Sequence, residues 1–145
     1  MRRRHQARRI ALQTLFQADV GGIPIEEAIA TTLEDSRLPA DVADFARTLV
    51  EGTWRHRDEL DRFIQEHAPH WPLERMANVD RNILRIAVYE ILYLHDIPYS
   101  VSINEAVELA KQFGSTESGR FVNGVLGSFV RRQNIKQEAK EPNEP

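Results

Sequence analysis

Pro98-Tyr-Ser-Val-Ser-Ile-Asn-Glu-Ala-Val-Glu-Leu-Ala-Lys-Gln-Phe-Gly114 and, after a short polar interval, Phe121-Val-Asn-Gly-Val-Leu126 decide how this chain folds. Apolar residues recur at helical spacing through Ile103, Ala106, Val107, Ala110 and Phe113, so these face inward from a sixth helix. Ser102-Ile-Asn-Glu105 has the form of a capping box, which gives Asn104 and Glu105 a structural task at the helix start. Gly114 is placed to end that helix. A seventh helix is expected from about Thr116 to Arg132, with Phe121, Val122, Val125, Leu126 and Phe129 as its stripe. Gly119, Gly124 and Gly127 would permit close helix approach.

Working outward, helical periodicity continues and no strand pattern emerges. A first helix is expected from about Arg4 to Val20, with Ala7, Ala11, Leu15 and Ala18 inward, Phe16 at the edge and Gly21-Gly22 as its stop. Pro24 suits the first turn of a short second helix, in which Ile25, Ala28, Ile29 and Leu33 face inward. A third runs from about Ala40 to His56 on Val42, Phe45, Leu49 and Thr53. Asp58 can cap a fourth carrying Leu60, Phe63 and Ile64. Pro69 and Pro72 flank His70-Trp71 and end that segment. The fifth, about Val79 to Leu94, is the most apolar, and so wide an apolar face suggests a central helix packed on several sides. The fold class is all-α with about seven helices. Residues 1–132 form one helical domain with an arginine-rich arm, and 133–145, polar and without periodicity, a disordered tail.

At 145 residues without cysteine, the chain can bury a core unaided, and disulfides and thiolate chemistry are excluded. No apolar run suits a membrane span or a signal peptide, which points to a cytoplasmic protein. The five histidines show no metal-ligand spacing. Tyr89-Glu90 and His95-Asp96 are helix neighbours that point apart, so neither suggests acid–base catalysis. No cofactor or metal is expected. The formal net charge is −3, yet five of the 19 basic residues lie in the first nine positions without an acid among them. Charge alone leaves two readings of that arm open: a solvated tail, or a local anion-binding element.

Val79-Asp80-Arg-Asn-Ile-Leu-Arg85-Ile-Ala-Val-Tyr-Glu90, Asp96-Ile-Pro98, Ile103 to Gly114 and Phe121 to Leu126, with the opening Arg4-His-Gln-Ala-Arg8, resemble the transcription antitermination factor NusB family over about residues 2–131. The resemblance implies two small helical bundles and no enzymatic activity. It implies binding to boxA RNA of ribosomal RNA operon transcripts as a heterodimer with NusE, a small-subunit ribosomal protein. The pair then joins an elongation complex with other Nus factors that keeps RNA polymerase processive. A homodimer of the free protein stays open.

The same resemblance distributes roles. Arg2, Arg3, Arg4 and Arg8 suit phosphate, since guanidinium is always charged and presents forked donors. Phe121 has core spacing, but the family places an RNA-facing aromatic there, and single strands are held by stacking. Lys111, Phe113, Ser115, Glu117 and Arg120 border the same turn. Glu117, an acid, would meet a base edge or orient Arg120. Phe16 stands where many relatives have tyrosine. The cationic tip and the bend near Phe121 are expected to grip one RNA strand. For NusE, the resemblance points to Asp80, with Glu74 and Arg81; a carboxylate surface would steer a basic partner. The rivals are an RNA methyltransferase's N-terminal module, which would need a following cofactor domain, and a structural dimerisation protein that binds no RNA.

Overall fold

The computed structural model describes residues 3–135, which hold seven α-helices and no strand. The helices are α1 (Arg3–Asp19), α2 (Ile25–Ala28), α3 (Ala40–Arg55), α4 (Arg57–Glu66), α5 (Asn78–Tyr93), α6 (Tyr99–Phe113) and α7 (Ser118–Arg132). The chain divides between Arg57 and Asp58 into two compact units.

In the first unit α1 packs chiefly on α3. The small residues Ala7 and Ala11 on α1 and Ala46 on α3 are fully buried, alongside Leu15 and Leu49. The expected α1 stripe is all buried, and Arg8, Leu12 and Thr14 are buried with it. Thr14 can be buried because its hydroxyl donates to the Ile10 carbonyl, 2.8 Å away. Past Asp19 the chain turns through Gly22 at φ +68°, a left-handed conformation that glycine adopts without steric cost. Pro24 stands just before α2 rather than in it, its carbonyl accepting from the Ala28 N–H. A π-helical turn, Ile29–Leu33, follows and buries Ile29 and Leu33.

The second unit is built around α5, which packs on α6 and α7. Every residue from Asn82 to Ile91 is buried. That run includes polar groups, and each buried one needs a partner. The Arg85 guanidinium donates to both carboxylate oxygens of Asp61 on α4 (2.7 and 2.9 Å) and to Asn82 Oδ1 (3.1 Å). Glu90 Oε1 accepts from the Ser102 hydroxyl on α6 at 2.7 Å.

Ser102 therefore does not form the expected capping box. Pro98, with φ −59°, stands before α6 and starts it at Tyr99, so Ser102 lies within the helix and faces α5. Phe113 does not face inward either. It is the last residue of α6 and is 44% exposed, where the chain is already leaving the helix. Among the glycines of α7, only Gly119 meets the neighbouring helix: a Cβ there would lie 3.1 Å from Lys111 Cγ. A Cβ at Gly124 would meet nothing within 4 Å, and one at Gly127 only Arg131, on α7 itself.

The expected tail lies outside the described residues from 136 onward. Before that, Asn134 adopts φ 58°, its N–H donates to Arg131 O and the Ile135 N–H to Val130 O at 2.9 Å. These two bonds close α7 in a Schellman motif, with asparagine in the left-handed position.

Replacing Ser102 by alanine removes a donor from the buried Glu90 carboxylate. Urea unfolding followed by circular dichroism should show a loss of about 1–3 kcal/mol, with helix content unchanged in water.

Candidate nucleic-acid interface

Of the arginine arm, Arg2 lies outside the described residues. Arg3 and Arg4 are exposed in the first turn of α1. Arg3 pairs with Asp41 in the first turn of α3, in two-point contact: Nε to Oδ2 is 3.0 Å, and Nη2 meets Oδ1. The bond from Arg3 holds the Asp41 carboxyl below its ordinary range. Arg4 sits over the Phe45 ring at 4.3 Å from its centroid, and Arg8 lies 5.4 Å from the same ring. Arg8 is only 3% exposed, so its charge is shielded where Arg3 and Arg4 meet solvent. Asp41 and Phe45 were invisible as functional residues in the sequence, because nothing local pairs them with residues nearly forty positions earlier. Phe16 is 37% exposed on α1.

The turn between α6 and α7 is built by one close approach. Gly114 has extended backbone (φ −98°, ψ −164°), not the left-handed conformation of the usual glycine stop. Its need for glycine is steric: an added Cβ would collide with the Ser118 side chain, 2.6 Å from Ser118 Cβ. Ser118 is itself buried, and its Oγ accepts from the Ser115 N–H at 2.9 Å. The Glu117 N–H donates to Ser115 Oγ at 3.3 Å. The two serines thus fold the turn on itself, and Lys111, Phe113, Ser115, Glu117 and Arg120 all point to solvent around it. Phe121 is half-buried.

Phe121 and Arg120 also line an open groove of about 320 Å³ with His67, His70, Trp71 and Gly124. Trp71 is 53% exposed and comes from the α4–α5 loop. Gln65 clamps that loop: its side-chain NH₂ donates to the carbonyls of Ala68 and Trp71 (3.0 and 2.9 Å), and its Oε1 accepts from the Leu73 N–H at 2.8 Å. His67 Nδ1 lies 2.8 Å from Ser128 Oγ, and its ring stands edge-on to Phe129. His67 Nε2 is buried without a hydrogen-bond partner among the described residues.

The residues expected at the protein partner are spread differently. Glu74 is exposed in a 3₁₀ turn, Leu73–Arg75. Asp80 is 8% exposed, and its Oδ1 has no hydrogen-bond partner among the described residues. Arg81 donates to Asn78 Oδ1 at 2.7 Å and to the Leu73 carbonyl at 3.2 Å, tying the turn to α5.

Residues 5–131 match the profile of the NusB family. The transcription antitermination protein NusB of Symbiobacterium thermophilum is 51% identical over 136 residues, covering 88% of this chain and 89% of that one. Among solved structures, a crystal structure of antitermination factors NusB and NusE in complex with dsRNA contains a chain 30% identical with a TM-score of 0.83, covering 91% of this chain and 98% of that one. NusB of T. maritima is 32% identical with a TM-score of 0.82, covering 94% and 93%.

Burial lowers the pKa of His67 below its ordinary 6.5, and the charge of Arg132 adds to this while Glu66 opposes it. The unfolded chain therefore binds this proton at higher pH than the folded one. The contribution of neutral His67 is complete above about pH 6.5 and is lost as pH falls from there through the folded value. Urea midpoints between about pH 7.5 and 5.5 should fall, and the fall should be smaller in His67→Gln.

Proposed function

This chain belongs to the NusB family, and from that premise we propose that it is an antitermination factor that binds boxA RNA of ribosomal RNA operon transcripts. In this reading it acts as a heterodimer with NusE and keeps RNA polymerase processive together with other Nus factors. It acts in the cytoplasm by assembly rather than by catalysis.

One observation carries the RNA reading: at the α6–α7 turn, the cations Lys111 and Arg120 stand beside the solvent-reaching rings of Phe113 and Phe121. Cations give a single strand its affinity and rings stack its bases. Arg2, Arg3 and Arg4 contribute further phosphate contacts, and Phe16 a further exposed ring. Arg8 acts by holding Phe45 beneath Arg4. Ser115 and Glu117 shape the turn and offer polar groups to base edges.

For the protein partner we propose the face that carries Glu74, Asp80 and Arg81. A ribosomal protein is basic, and Glu74 offers it a solvent-facing carboxylate.

Electrophoretic mobility shift with a boxA-like RNA, repeated at several salt concentrations, tests the arm. Changing Arg2, Arg3 and Arg4 together to alanine should weaken binding and make the slope of log K against log salt shallower by about 2. An unchanged slope would remove the arm from the interface. Phe121→Asp should abolish binding while the helical circular dichroism persists. A collapsed spectrum would instead make Phe121 a core residue.

A further inference from the structure

We propose that the groove walled by Trp71 and Phe121 is a socket for one RNA base. This rests on the reading of the α6–α7 turn as an RNA surface and extends it to the α4–α5 loop, to which that reading gives no part.

Size comes first. About 320 Å³ is at the low end of small-ligand sites, which run from roughly 300 to 1,000 Å³, so the groove suits one ring system. The exposed lining is almost entirely carbon. Trp71 is the second reason. The half-exposed indole offers a flat face at the groove, and a planar ring system is what indole and phenyl faces hold best. It is also held ready: Pro69 and Pro72 stiffen the loop, and Gln65 ties three of its backbone groups. Binding then loses little loop entropy.

Charge selects between occupants. Arg120 at the rim attracts the phosphate that accompanies a base, and repels the basic side chains of a ribosomal protein. The rings of His67 and His70 complete the wall. At Gly124 there is open space instead of a side chain, which leaves the socket unfilled.

Gly124 also provides the test. It is exposed on a helix, and its added Cβ meets nothing within 4 Å, so Gly124→Leu should fold at least as well as the parent while filling the socket. RNA affinity is measured by fluorescence anisotropy on the full chain with a labelled boxA-like single strand. Gly124→Leu and Trp71→Ala should each weaken binding roughly ten- to hundredfold, and Trp71→Phe should recover most of it. Replacing nucleotides one at a time with abasic ribose should reveal one position whose loss matches Trp71→Ala and adds nothing to it. Tryptophan emission in a Trp54→Phe background should be quenched by the RNA and not by its abasic form. Parental affinity in both Gly124→Leu and Trp71→Ala overturns the socket but leaves the RNA reading standing. If these variants lose the ribosomal protein and keep RNA, the groove is a protein site and the proposal fails. If the parent chain binds no RNA, the underlying reading fails with it.

Discussion

The second unit depends on the burial of α5 through nearly three full turns. A helix buried on every side cannot send its polar residues to water, so each needs a hydrogen-bond partner within the protein, and two of them find it on a neighbouring helix. Arg85 draws Asp61 and thereby sets the position of α4. Glu90 draws Ser102 and sets the register of α6. Breaking either link leaves a buried charge short of its partner, which is far more costly than losing a surface pair. These links specify where the surrounding helices lie, beyond what apolar packing alone would specify.

The α6–α7 turn inherits that order. With α6 fixed on α5, the Lys111 stem runs across Gly119, and Gly114 meets Ser118 closely enough to exclude any other residue. The rings and cations of the turn are therefore displayed by a frame whose geometry is decided in the core. The α4–α5 loop reaches the same side of the unit by another route, through the Gln65 clamp. A short sequence distance separates Gln65 from the backbone it holds, yet its function is legible only once the loop is folded.

Helix number, approximate limits and most of the apolar stripes were readable from periodicity, because burial on one face imposes the 3.6-residue repeat directly. The breadth of the α5 face also announced its central position. Three things escaped. Ser102 looked like a cap because its local pattern matches one, but Pro98 begins the helix earlier and a distant glutamate claims the hydroxyl. Gly114 looked like a left-handed stop, whereas its reason for being glycine is a contact with Ser118. The burial of Arg8 and Arg85 and the pairing of Arg85 with Asp61 could not be read, since a sequence shows charge but not the partner that allows it to be buried. At the candidate site, the cations and Phe121 stood out on family likeness. Trp71 showed only as a residue between prolines, and nothing in the order of residues joins it to a helix fifty positions away.

The first helix begins against its own electrostatics. Its opening turn carries no acid, and Arg3 and Arg4 sit at the end where the peptide dipoles already concentrate positive charge. Asp41 relieves part of that repulsion from α3. In the proposed RNA complex a backbone phosphate at this tip takes up the same duty, so occupancy and helix integrity become thermodynamically linked. A polyanion that docks on this tip also suppresses fraying of α1 and raises the melting temperature of the unit that carries it.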